Sequence, residues 1–68
     1  MKFKIIVRTP SGRQWEEEYN KETEDPKKWA EDVITNFNNT LKLGEETRTL
    51  IDVMILDTNN DKWHHWVK

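Results

Sequence analysis

The 68-residue sequence predicts a single α+β domain of ββαββ order, in which one amphipathic helix packs on a four-stranded sheet. Three observations carry that prediction. Apolar residues alternate with charged ones near the N-terminus and run into a Pro-Ser-Gly turn; one helical stripe opens at Asp25-Pro26; and an apolar β-rich run from Leu50 to Leu56 is followed by Asn-rich turn chemistry. A chain this short buries only about 60% of the surface that its unfolded form exposes, so one core and no large internal cavity is expected. The absence of cysteine removes disulfides, thiolate nucleophiles and cysteine zinc sites, and leaves stability to packing.

In the first strand Phe3, Ile5 and Val7 point one way and Lys4, Ile6 and Arg8 the other. Thr9 to Arg13 then reads as a hairpin, with Pro10 presetting φ and Gly12 supplying a left-handed residue. Setting Thr9 opposite Arg13 places Val7 across from Trp15, Ile5 from Glu17 and Phe3 from Tyr19. On the reverse face Lys4 meets Glu18 and Ile6 meets Glu16. Residues 1–15 carry four basic groups and no acid, whereas residues 16–32 carry eight acids against three lysines. The register turns this asymmetry into cross-strand pairing.

Asp25 is suited to cap a helix and Pro26 to occupy its first position. Trp29, Ala30, Val33, Ile34, Phe37 and Leu41 then fall within about 140° of one another at helical pitch, so a helix of about Pro26 to Leu41 is expected, with Gly44 ending the segment. The Leu50–Leu56 run is apolar on both faces except at Asp52. Thr58 to Asp61 turns the chain, and Lys62 to Val67 returns as a fourth strand with Ile55 opposite His64, Val53 opposite Trp66, Leu56 opposite Trp63 and Met54 opposite His65.

Element order and length resemble the β-grasp arrangement of the small immunoglobulin-binding bacterial domains. That resemblance implies strand order 2-1-4-3, with the first and last strands central and parallel; the wholly antiparallel order 2-1-3-4 is the alternative. It implies no function, since such folds host many.

The chemistry-bearing strings are sparse. His64 and His65 are adjacent on a strand and point to opposite faces, so they do not chelate one ion together. Asp57 to Asp61 begins like a calcium loop, but Lys62 stands where the loop needs glycine and Lys68 where it needs glutamate. Alternation spreads Glu16, Glu17 and Glu18 over both faces, away from the convergence that paired-carboxylate catalysis requires. Neither phosphate loops nor nucleophile arrangements occur, and the expectation is a non-enzymatic protein without metal or cofactor.

One apolar group lacks a helix to cover it. Met54, Leu56, Trp63 and Val67, with His65 and Asp52 beside them and Ile6 nearby, are assigned to the sheet face away from the helix, unless residues 42–49 fold over it. The expected function is therefore a protein–protein interaction module that docks this face on another protein or on a second copy as a homodimer. Compact acidic chains of this kind are associated with accessory or inhibitory roles, including in bacteria and phages. The alternative is single-stranded nucleic-acid binding, with sheet aromatics stacking bases while Lys2, Lys4, Arg8 and Lys62 hold phosphates; the net charge of −2 opposes it. The longest apolar stretch is far too short for a membrane helix and no signal peptide is recognisable, so a cytoplasmic location is expected.

Overall fold

The computed structural model describes residues 1–67; Lys68, the closing position of the calcium-loop pattern, lies outside them. Along the chain come β1 (Lys2–Arg8), β2 (Gln14–Asn20), α1 (Pro26–Asn39), β3 (Thr49–Asp57) and β4 (Lys62–His65). The four strands form one antiparallel sheet in the order β2-β1-β3-β4. The expected β-grasp order, 2-1-4-3, is thus corrected to its alternative. The physical reason lies in the strands themselves. β3 is nine residues long and rich in apolar side chains on both faces, so it takes the interior place against β1. β4 has only four residues, Lys-Trp-His-His, and stands at the edge, where short polar strands are tolerated.

Both hairpins have the expected registers. Phe3 faces Tyr19, Ile5 faces Glu17 and Val7 faces Trp15, while Met54, Ile55 and Leu56 face His65, His64 and Trp63. The first turn closes through Thr9 N–H to the Arg13 carbonyl at 2.9 Å and Gly12 N–H to the Thr9 carbonyl at 3.0 Å. Gly12 has φ +90°, a conformation that needs no Cβ to be comfortable. In the second turn Asp57 Oδ1 accepts from Asn59 N–H at 2.9 Å, and the left-handed residue is Asp61 at φ 56°. Because the two turns sit at opposite ends of the sheet, the molecule is elongated, about 43 × 22 × 18 Å.

The helix starts as its sequence dictates: Asp25 Oδ1 accepts from Lys28 N–H at 3.1 Å, and Pro26 fills the first position and is buried. It ends two residues before the expected Leu41. Thr40 caps it, its amide bonding back to the Phe37 carbonyl. Asn38 then reaches out of the helix with both ends of its amide, donating to the Arg48 carbonyl at 2.9 Å and accepting from Arg48 N–H at 2.8 Å. This side chain pins the strand that enters β3, and Leu41 and Leu43 are left exposed in the connection.

Phe3, Ile5 and Val7 of β1, Val53 of β3, and Ala30 and Ile34 of α1 are the buried core. Trp15, Tyr19, Trp29, Leu50, Ile55 and Trp66 close around it half-buried. Val33, assigned to the apolar stripe, is 39% exposed, because the helix turns Ala30 and Ile34 toward the sheet and leaves Val33 on its flank.

Two stability predictions follow from this placement. Phe3→Ala should cost on the order of 3–5 kcal/mol in urea denaturation, whereas Val33→Ala should cost less than about 1 kcal/mol. Equal losses at the two positions would contradict the helix orientation. Asp25→Ala should remove about 1 kcal/mol through the lost cap, and an unchanged midpoint would contradict the cap.

Candidate interaction surface

The helix covers one face of the sheet. On the other, pleat and register bring Lys4 and Ile6 from β1, Glu16 and Glu18 from β2, Asp52, Met54 and Leu56 from β3, and Trp63 and His65 from β4 to one surface. Five of the six residues expected on this surface, Asp52, Met54, Leu56, Trp63 and His65, lie there together. The sixth, Val67, follows the end of β4 and is 83% exposed. Residues 42–49 do not provide the alternative cover: Glu46 accepts from Ser11 in the β1–β2 turn, and Arg48 lies over Phe37 and Trp15 on the helix side.

The sequence offered no reason to place Lys4 at the middle of this surface as a half-buried group. Its side chain is only 14% exposed, with Nζ 3.2 Å from Glu16 Oε2 and 4.7 Å from the centroid of the Trp63 ring. The indole therefore lies across the sheet on top of the ammonium, an arrangement that the negative face of the ring favours. Register sets Lys4 opposite Glu18, but its ion pair is with the diagonal neighbour Glu16, which a long side chain reaches as easily. Toward the other side, His65 Nδ1 lies 2.6 Å from Asp52 Oδ2, while Asp52 Oδ1 accepts from Val53 N–H at 2.9 Å. The surface is thus an apolar strip of Ile6, Met54, Leu56 and Trp63 with the Lys4–Glu16 ion pair on one side and the Asp52–His65 contact on the other. His64 points to the opposite face, 3.7 Å from Asp57, so the two histidines diverge.

A second polar cluster was also missed, on the helix side. Glu17 occupies a core-facing position of β2 between two aromatics, accepting from Trp15 Nε1 at 2.9 Å and from the Tyr19 hydroxyl at 2.6 Å. Arg48 Nη1 approaches it at 3.6 Å and stacks on Phe37 at 3.9 Å. Burial by itself pushes the Glu17 carboxyl up, but the hydrogen bonds from Tyr19 and Trp15 and the Arg48 charge outweigh it and hold the group below its ordinary value. Burial, together with the hydrogen bond to that carboxylate and its charge, pushes the Tyr19 phenol up to about 12. The pairing of Trp15 and Tyr19 around Glu17 was readable in the alternation of β2. Arg48 was not, because it comes from an irregular connection without periodicity.

Among the described residues no group of three or more His, Asp or Glu side chains is arranged to hold a metal ion, and no helix is long and apolar enough to cross a membrane. No protein-family model matches this chain, and no curated protein or solved structure matches it.

The Glu17 cluster has a pH signature. The folded carboxyl titrates below its unfolded value of 4.5, so its contribution is complete above that pH and is lost as pH falls through the lower, folded value. The phenol works in the opposite sense: its contribution is complete below the unfolded value of 10.0 and is lost as pH rises toward about 12. Tyr19→Phe should flatten the alkaline limb of a stability–pH curve, and Glu17→Gln the acid limb. Curves superimposable on wild type would show that the cluster does not contribute.

Proposed function

We propose that this domain is a non-enzymatic interaction module that docks a protein partner through the open sheet face. One observation carries the reading: Ile6, Met54, Leu56 and Trp63 form an apolar strip on a face that no element among the described residues covers, flanked by the Lys4–Glu16 and Asp52–His65 pairs. An apolar centre with a rim of both charges is the usual composition of a protein-binding patch. Trp63 is the anchor in this scheme. It is large, rigid and half-buried on its own sheet, so it presents area to a partner at little entropic cost. The rim sets orientation, with the acids of β2 on one side and His65 on the other.

The same geometry weighs against single-stranded nucleic-acid binding. Of the cations that reading needs, Lys4 is held between Glu16 and Trp63, and the Arg8 guanidinium donates twice to Gln14 Oε1, at 3.0 and 2.8 Å. Arg8, Lys2 and Lys62 remain exposed, too few to grip a phosphate backbone.

The test compares immobilised wild type with Trp63→Ala, Met54→Glu and, as a control on the helix flank, Val33→Glu. Capture of a defined partner, or self-association measured by sedimentation, should weaken at least tenfold, about 1.4 kcal/mol, in the first two variants and be unchanged in the third. Loss in all three, or in none, would end the open-face reading, as would retention on heparin at low salt that Lys2→Glu abolishes.

A further inference from the structure

The open sheet face carries its charges in columns, one to a strand. Pleat and register set Glu16 and Glu18 on β2, Lys2, Lys4 and Arg8 on β1, Asp52 on β3 and His65 on β4, side by side across the face. Glu16, Glu18 and Asp52 thus balance Lys2, Lys4 and Arg8, so the net charge of −2 on the chain lies on its other surfaces. A face without net sign gains little from a strongly charged partner, and it does not repel a copy of itself.

Two such faces packed as a symmetric pair are related by a two-fold axis lying between them, and the columns choose its direction. An axis across the strands sets β2 on β2 and β1 on β1, so that acids meet acids and bases meet bases. An axis along the strands sets β2 of one copy on β4 of the other, and β1 on β3. Lys4 is level with Glu18 and with Met54, and Met54 with His65. Glu18 of one copy therefore stands over His65 of the other, the bases of β1 stand over the strand that holds Asp52, and Ile6 comes beside Met54. Symmetry makes each of these contacts twice. Four strands at about 4.8 Å and seven residues at about 3.3 Å give a face of roughly 400 Å² in projection. That is less than the roughly 800 Å² that each partner of a stable complex buries, so the pairing is weak and reversible.

We infer, resting on the open-face reading, that the occupant of this face is a second copy of the chain, packed sheet to sheet about a two-fold axis parallel to the strands. Ile6, Met54, Leu56 and Trp63 of both copies become the middle of an aligned two-sheet sandwich, and the two helices lie on its outer sides. The Glu18–His65 contacts at the two rims fix the orientation.

The experiment combines sedimentation equilibrium of the full chain, from about 10 μM to about 1 mM, with isotope-filtered NOE spectra of an equal mixture of carbon-13-labelled and unlabelled chain. Wild type should dimerise reversibly in that range, with intermolecular NOEs between Ile6 and Met54 and between Glu18 and His65. Met54→Glu should raise the dissociation constant at least tenfold. Glu18→Lys and His65→Glu, both at exposed positions, should each raise it at least threefold, and an equal mixture of the two should associate at least threefold more tightly than either alone. If Met54→Glu fails to fold, this exchange decides. A wild type that stays monomeric at about 1 mM would overturn the second copy as occupant and leave the open face to be judged by capture of another protein. A dimer that lacks these NOEs and ignores Trp63→Ala would overturn occupant and open face together. A dimer through the open face whose charge variants are not rescued by mixing would overturn the proposed axis.

Discussion

One helix has to serve a sheet of four strands, and the rest of the structure follows from that shortage. A helix is about 10 Å across and strands are spaced about 4.8 Å apart, so α1 shields roughly two of them. It lies over the interior pair, with Ala30 and Ile34 against a floor made by Phe3, Ile5, Val7 and Val53. The flanks of that face must be closed by long side chains from the outer strands. This is why the aromatics sit where they do: Trp15 and Tyr19 rise from β2, and Trp66 closes the core beyond β4. At the start of the helix, Phe3, Tyr19 and Trp29 pack with centroids 4.8 to 5.9 Å apart, Phe3 and Trp29 edge to face.

The Glu17 cluster is the same solution in polar form. A carboxylate beneath a helix flank is costly unless its lone pairs are filled, and Trp15 and Tyr19 fill them from the same strand. In doing so they fix both aromatic rings at the margin of the core. Arg48 completes the closure from above, with its guanidinium stacked on Phe37 and Trp15 and its charge directed at Glu17. Since Asn38 holds the backbone of Arg48 from the helix, the end of α1, the entry to β3 and the rim of β2 are tied into one unit.

The opposite face has no helix to shape it, and its side chains organise one another. Trp63 lies over Lys4, Lys4 reaches Glu16, and Asp52 bridges the Val53 amide and His65. These contacts hold the apolar strip in a defined form while leaving it open, a condition suited to recognition by a preorganised surface.

What this chain determines by itself is local. Alternation specified which residues of each strand share a face, turn chemistry specified both hairpin registers, and Asp25-Pro26 specified where the helix begins, because each depends on steric and hydrogen-bonding preferences within a few residues. That Met54, Leu56, Trp63, His65 and Asp52 share one surface was legible for the same reason. Strand order, the early end of the helix and the partners of the charged groups were decided only in the folded molecule. Whether β3 or β4 lies beside β1 turns on which strand buries more apolar area once both are present. Whether the helix continues past Asn39 turns on Asn38 finding Arg48 ten residues away. The placement of Lys4 between Glu16 and Trp63 unites three strands, and no preference of its neighbours in sequence encodes that meeting.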